Sequence, residues 1–104
     1  MRKILVPGLL AMACLTAPAW AQDGQALFQE KGCVACHGAD AKSAITDAYP
    51  NLAGQNKTYL FNQMKDIKSG ARDNGQTAVM KPTIANVSEE EMQAIAEWLS
   101  TLGQ

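Results

Sequence analysis

Cys33-Val34-Ala35-Cys36-His37 is the stretch that decides the fold of this chain. Two cysteines three positions apart, followed at once by a histidine, form the attachment pattern of a c-type haem. Each cysteine sulfur can form a thioether bond to one haem vinyl group, and the adjacent imidazole can bind the iron. We therefore expect one covalently bound haem c, held by Cys33 and Cys36, with His37 as an axial ligand.

Two other uses of the cysteine pair remain open from the motif alone. A structural zinc site needs four ligands and usually a second Cys or His pair, but His37 is the only histidine of the chain. A thioredoxin-type dithiol belongs to a βαβ pattern, and the sequence shows no alternation of strands and helices. Covalent haem is therefore the favoured interpretation.

The first 21 residues have the pattern of a cleavable secretory signal peptide. Arg2 and Lys3 precede an apolar run over residues 4–15, and Ala19-Trp20-Ala21 is a small-residue cleavage site. The alternative of a membrane anchor is disfavoured because 12 apolar residues are too few to cross a bilayer. Lipidation of Cys14 is a second alternative, although the residues before it make a poor lipidation motif. We expect residues 1–21 to be removed and the protein to reside in the periplasm.

The remaining residues 22–104 predict one small domain. Removing Arg2 and Lys3 from the nine basic side chains leaves seven against ten acidic ones, a net charge of −3. This balance argues against nucleic-acid binding. Both cysteines of this part are assigned to haem, so we expect the haem itself to supply much of the core of so short a chain.

Helical patterns alternate with loops along the domain. We predict helices over residues 24–31 and 56–69 and a third that begins after Ser88, with loops over 37–55 and 71–87. The fold class is therefore all-α, with three main helices and long loops wrapped around one covalent haem. The boundary signals are an N-capping Asp23, a capping box from Ser88 to Glu91, and terminating glycines at 32, 70 and 103.

Met80 is the predicted sixth ligand of the iron. No second histidine exists, and Met64 and Met92 lie on apolar helix stripes, where core packing is the expected role. Met80 instead falls in a predicted loop before Lys81 and Pro82, where a thioether can reach the second face of a haem. The alternative is a methionine that only packs and leaves the iron open.

The ligand set separates two functions. A thioether ligand raises the reduction potential and leaves no site for a substrate, which suits a one-electron carrier and not an enzyme. An open sixth site would suit a haem-based sensor, a ligand-binding protein or the haem subunit of a redox enzyme. The part of the predicted loop around Met80, residues 75–87, contains no acid or histidine for such chemistry, so the carrier is favoured.

The order of motifs along the chain resembles the class I monohaem cytochromes c, nearest to the bacterial c-553, c5 and c4-like group. The motifs span nearly the whole predicted domain. They are, in order, Gly24-x-x-x-Phe28, Cys33-x-x-Cys36-His37-Gly38, Tyr49-Pro50-Asn51-Leu52-Ala53-Gly54-Gln55, Tyr59, Ser69-Gly70-Ala71-Arg72, Met80, Ile84-Ala85-Asn86-Val87-Ser88 and Trp98-Leu99.

The resemblance implies a small cytochrome c fold and specific roles for residues around the haem. The carbonyl of Pro50 is expected to accept the Nδ1–H of His37, and Leu52 to pack on the haem face. Tyr59 or Arg72 is expected to hydrogen-bond or charge-pair with a haem propionate, although Arg72 could equally be an ordinary surface charge.

The resemblance also implies a helix crossing and partners. The first and last helices are expected to cross near Gly24, with Phe28 and Trp98 close by. The extra C-terminal cysteine pair of some c5 proteins is absent, and one haem motif excludes a dihaem protein.

We expect the mature chain to be a monomer with no transmembrane segment. It is expected to dock transiently with a redox protein donor and a redox protein acceptor. Lys81 could form a local positive rim that attracts such a partner.

Overall fold

The computed structural model describes residues 23–103, so the predicted signal peptide and Cys14 lie outside the described part. Residues 23–103 are all-helical and contain no strand, as predicted. The helices are α1 (Gly24–Glu30), α2 (Val34–His37), α3 (Lys57–Ser69), α4 (Thr77–Ile84) and α5 (Glu89–Ser100). Across this range no helix has the length and apolar character that crossing a membrane requires.

The first and last long helices cross at Gly24, as predicted. A Cβ atom at this position would collide with the backbone carbonyl of Ala94 and would lie 2.7 Å from Cβ of Trp98. Next to the crossing, the rings of Phe28 and Trp98 pack with their centroids 5.3 Å apart at an angle of 52°. The absent side chain of Gly24 therefore sets how closely α1 and α5 approach.

The predicted helix starts are confirmed. The carboxylate of Asp23 accepts backbone N–H groups of the first turn of α1, at 3.0 and 3.3 Å. Both halves of the capping box are present at α5: Oγ of Ser88 accepts the N–H of Glu91, and the Glu91 carboxylate accepts the N–H of Ser88. Such a cap satisfies backbone donors that would otherwise lack a partner in the helix.

The predicted helix ends are partly confirmed. Gly70 ends α3 in the left-handed conformation, with φ of 90°, and Gly32 follows α1 with φ of 83°. Gly103 was predicted to close the last helix, and this is wrong. That helix ends at Ser100, and its C-cap is Thr101, whose N–H and hydroxyl donate to carbonyls of the last turn, so no glycine is needed.

Helix α3 packs with its predicted stripe toward the core. Leu60, Met64 and Ile67 are buried and face α5, whose Ile95 and Leu99 are almost completely buried. The spacing of i, i+4 and i+7 puts these three side chains on one face of the helix. Helix α3 therefore lies between α5 and α4 and contacts both.

The predicted loop over residues 71–87 is wrong in its second half. Residues 77–84 form α4, with Pro82 inside the helix. A proline at this position removes one backbone hydrogen bond but keeps a helical φ, and the burial of Thr77 and Ile84 holds the helix in place. Met80 therefore lies on a helix and not on an irregular loop. The four-residue helix α2 also falls where no separate helix was predicted.

Candidate haem-binding site

All five helices contribute to one mostly apolar cavity. Its empty space measures about 1040 Å³, part of which is open to solvent. The walls come from α2, from the loop between α2 and α3, from α3, and from α4 with the loop before it, while α1 and α5 close the base. The lining side chains used below are those of Phe28, Cys33, Cys36, His37, Tyr49, Pro50, Leu52, Leu60, Gln63, Met64, Arg72, Thr77, Met80, Ile95 and Leu99.

One short helical turn brings the attachment motif to the cavity. Cys33 is the N-cap of α2, and its carbonyl accepts the N–H of His37 at 3.0 Å, so Cys33, Cys36 and His37 belong to the same turn. Gly38 ends the turn with φ of 85°, and a side chain there would lie 2.5 Å from the carbonyl oxygen of Ser43. Glycine at this position lets the chain turn away directly after the histidine.

Both cysteines are free thiols at the cavity wall. Burial raises the pKa of the Cys33 thiol to about 11; its own backbone hydrogen bond lowers that pKa and nearby Cys36 raises it. The thiol is therefore neutral at physiological pH. The structure presents two partly buried thiols within one helical turn, as a molecule with two reactive vinyl groups requires.

His37 is oriented by one backbone acceptor. Its Nδ1 lies 3.1 Å from the carbonyl oxygen of Pro50. A carbonyl only accepts hydrogen bonds, so Nδ1 carries the proton and the lone pair of Nε2 remains available to a metal. Burial lowers the pKa of His37, and the hydrogen bond to Pro50 partly opposes this shift. The imidazole is therefore held neutral, the form that binds a metal.

Backbone hydrogen bonds fix the loop that carries Pro50. The carbonyl of Ala41 accepts the N–H groups of Leu52 and Ala53, at 2.7 and 3.1 Å, and the N–H of Gly54 donates to Leu99 of α5 at 2.9 Å. Ala41 is completely buried and has a φ of 62°. These bonds place the Pro50 carbonyl beside His37 and put Leu52 on the cavity wall.

Two methionines reach the cavity from different helices. Met80, on α4, is partly buried and packs against the core. Met64, on α3, is buried as predicted, but it lines the same cavity as Met80. Met92 is completely buried in α5 and is not among the lining residues. The cavity therefore contains two methionine sulfurs that are candidate iron ligands, whereas the sequence predicted one.

Arg72 is the only lysine or arginine among the cavity-lining residues. Its Nη1 donates to Oε1 of Gln63 at 3.0 Å, and its backbone N–H donates to the carbonyl of Asp66 at 3.0 Å. These two bonds hold the loop after α3 and bring the guanidinium to the rim of the cavity. A guanidinium at this position suits an anionic group on a bound molecule.

Tyr59, named with Arg72 as a candidate partner of a haem propionate, is not among the residues that line the cavity. It is 53% exposed. Tyr59 lies one position before Leu60, so the helical rotation turns it away from the buried face of α3. The tyrosine that lines the cavity is Tyr49, whose ring centroid lies 6.2 Å from that of His37.

Sequence reasoning also missed Gln63 and Thr77. Gln63 stands three residues after Leu60 and four before Ile67, so helical spacing alone could have placed it on the cavity face of α3. Tyr49 directly precedes Pro50 and shares its loop. Thr77 carried no signal, because the helix that it begins was not predicted.

The residues present fit a covalently held haem. The site combines two free thiols, an imidazole with one nitrogen available, methionine sulfur, apolar walls and one guanidinium, as a large flat apolar group with an iron centre and acidic substituents requires. Among residues 23–103, no group of three or more His, Cys, Asp or Glu side chains is arranged to hold a metal ion directly.

The family model described as "Cytochrome c" matches residues 21–103, which include all of the part that the structure describes. The chain belongs to the cytochrome c family. This cytochrome c therefore carries covalently bound haem of the c type and acts in haem-based electron transfer.

Named relatives place this cytochrome c within the class I monohaem group. It is 36% identical to cytochrome c-553 of Nitratidesulfovibrio vulgaris (strain DSM 19637 / Miyazaki F), over 98% of this chain and 100% of that protein. It is 37% identical to the thiosulfate dehydrogenase electron acceptor of Stutzerimonas stutzeri (strain A1501), over 89% of this chain but only 45% of that longer protein.

A solved structure agrees on the fold. The crystal structure of reduced recombinant cytochrome c4 from Pseudomonas stutzeri matches 84% of this chain with a TM-score of 0.69 and 28% sequence identity, and the match covers 50% of the cytochrome c4 chain. This cytochrome c thus corresponds in length to about half of cytochrome c4 and to the whole of cytochrome c-553.

Proposed function

We propose that this cytochrome c is a periplasmic one-electron carrier with one haem attached through Cys33 and Cys36 and ligated by His37 and Met80. The observation that carries the proposal is that these four side chains line one apolar cavity. The cysteines and the histidine come from a single turn of α2, while the methionine comes from α4.

Each residue has a defined task. When bound, the haem supplies a one-electron ferric–ferrous couple. The Pro50 carbonyl keeps His37 in one tautomer and one orientation, which makes the other ring nitrogen a better donor. Met80 supplies a soft sulfur that favours the reduced state. Leu52 keeps water from the cavity, and Arg72 pairs with the acidic substituents of the haem.

Partners and location extend the proposal. One relative is named as an electron acceptor of thiosulfate dehydrogenase, which supports a redox protein as donor for the present chain; a second redox protein would be the acceptor. We assign both contacts as transient and the protein as a monomer. The signal peptide assigned to residues 1–21 supports export to the periplasm, and osmotic-shock fractionation tests that location: haem protein confined to the spheroplasts would contradict it.

The optical spectrum of the oxidised protein tests the ligand set. Methionine ligation gives a weak far-red iron–sulfur band, which we expect in the unaltered protein. Met80→Leu should abolish that band without loss of attached haem, whereas Met64→Leu, which removes the second cavity thioether, should keep it. The reverse result would move the ligand to Met64.

Carbon monoxide distinguishes the carrier from a ligand-binding haem protein. A carrier with both axial positions filled binds carbon monoxide slowly, because Met80 must leave first. A high-spin oxidised spectrum without the far-red band, together with fast carbon monoxide binding to the reduced protein, would contradict the carrier proposal and support an open sixth site.

A further inference from the structure

We propose that Lys31 and Lys68 are positioning residues that hold the connection between α4 and α5 and thereby keep Met80 at the haem. The proposal rests on Met80 as the sixth ligand. It assigns a task to two lysines that lie outside the cavity lining.

Helix α4 has few anchors of its own. Only Thr77 and Ile84 of its eight residues are buried, and Pro82 interrupts its backbone hydrogen bonding. Its main packing partner among the helices is α3. A short helix with so little buried surface is held mainly by what fixes its ends.

The C-terminal end of α4 is fixed from α3 by Lys68. The Nζ of Lys68 donates to the carbonyl oxygen of Val87 at 2.6 Å, in a partly buried position. The side chain of Val87 itself is completely buried. A short hydrogen bond from an ammonium group to a carbonyl is stronger than one between neutral groups.

The same end is fixed from α1 by Lys31. Its Nζ donates to the carbonyl oxygen of Asn86 at 3.1 Å and lies 3.4 Å from Oε2 of Glu91. The Glu91 carboxylate also accepts the N–H of Ser88 in the capping box of α5. Lys31 therefore ties the end of α1 to the connection and to the first turn of α5.

The two lysines hold consecutive carbonyls from two different helices. Asn86 and Val87 lie in the short connection between α4 and α5, just after the C-cap Ala85, so fixing them fixes where the end of α4 lies relative to α5. Met80 lies on α4, six residues before Asn86. Loss of either ammonium leaves a carbonyl with a weaker partner and lets α4 move away from the cavity while α1, α3 and α5 stay packed.

Lys68→Met and Lys31→Met test the proposal, with Lys57→Met as the matched control. Methionine keeps most of the apolar length of the lysine side chain and removes the ammonium. Lys57 lies on α3 like Lys68 and pairs at 2.9 Å with Glu97 of α5, but both side chains of that pair are 59% exposed, and the pair does not include the connection after α4. Each variant thus loses one positive charge; Lys68→Met and Lys57→Met each lose one polar contact, and Lys31→Met loses the contacts with Asn86 and Glu91.

Two readouts separate positioning from general stability. In a urea titration of the oxidised holoprotein, the far-red band should disappear at lower urea in the Lys31 and Lys68 variants, while the helical circular dichroism changes much less. Carbon monoxide should bind the reduced variants about tenfold faster, since a hydrogen bond to a charged group is worth about one factor of ten in an equilibrium. Lys57→Met should leave both readouts unchanged.

The outcomes are distinct. If the far-red band and the circular dichroism are lost at the same lowered urea concentration, or if neither is lost earlier than in the unaltered protein, the two lysines do not position Met80 and the proposal is wrong. If the unaltered protein lacks the band, the Met80 assignment fails first and this proposal falls with it. Should Lys68→Met yield no holoprotein, Lys31→Met decides the question by the same readouts.

Discussion

Gly24 of α1 meets Ala94 of α5 backbone to backbone. A single methyl group on Gly24 would overlap the Ala94 carbonyl oxygen and would lie 2.7 Å from Cβ of Trp98. Neither obstacle is the flexible end of a side chain, so the strain would have to be relieved by moving one helix. Since Phe28, on the same helix, also lines the cavity, the crossing sets the position of one wall of the haem site.

Gly24→Ala is therefore expected to destabilise the protein. Overfilling a packed contact costs about 1–3 kcal/mol, more than the helix propensity of alanine restores. Chemical denaturation of the holoprotein measures the difference. Gly103→Ala is the control, because nothing lies within 4 Å of the added atom; equal stability of both variants would show that the crossing can relax.

Arg72→Gln is expected to lower the reduction potential. A positive charge at the cavity rim favours the reduced haem, which carries one positive charge less than the oxidised form. At a separation of about 10 Å, one charge contributes roughly 0.4–1.7 kcal/mol, which corresponds to roughly 20–70 mV for one electron. Spectroelectrochemical titration measures the shift. Arg72→Lys keeps the charge and should retain most of the potential, whereas an equal drop in both variants would assign the effect to the bond with Gln63.

Glu91→Gln is expected to make the free energy of unfolding depend less on pH in the acid range. The backbone N–H of Ser88, and secondarily Lys31, holds the pKa of Glu91 below its ordinary value of 4.5. A carboxyl with a lowered pKa in the folded state adds stability above its ordinary pKa and loses it as the pH falls through the folded pKa. The free energy of unfolding of the variant should thus fall less steeply below about pH 4.5.

Denaturant titrations at several pH values measure that slope. Glutamine keeps the capping hydrogen bond, so the loss at neutral pH should stay below about 1 kcal/mol. Glu90→Gln removes a carboxylate from the same turn without touching the capping box, and its profile should run parallel to that of the unaltered protein. A Glu91→Gln profile that also runs parallel would contradict the prediction.

The parts of the fold that depend on local chemistry were predictable. Asp23, Gly70 and the Ser88 capping box mark helix boundaries through hydrogen bonds and backbone angles that belong to the residues themselves. The attachment motif was equally clear, because its three functional residues lie within a single turn. Spacing also identified the buried face of α3 correctly.

The parts that depend on tertiary packing were not predictable. Pro82 lowers the helical tendency of residues 77–84, yet the burial of Thr77 and Ile84 outweighs it. Tyr59 borders the apolar face of α3. Whether such a residue faces the cavity or the solvent depends on how the helix is rotated about its axis, and the sequence pattern does not determine that rotation. The second thioether, Met64, looked like core because core and cavity wall share one helix face.

The α2 turn has a consequence for the order of assembly. Cys33, Cys36 and His37 lie within five consecutive residues, so this part of the site can engage haem while the rest of the chain is still unfolded. Met80 lies 43 residues after His37 and reaches the cavity only once α3 and α4 have packed together. The two proposed axial ligands therefore report on different steps of assembly. Ligation by the histidine requires only that the cofactor is attached, whereas ligation by the methionine requires that the chain has folded around it.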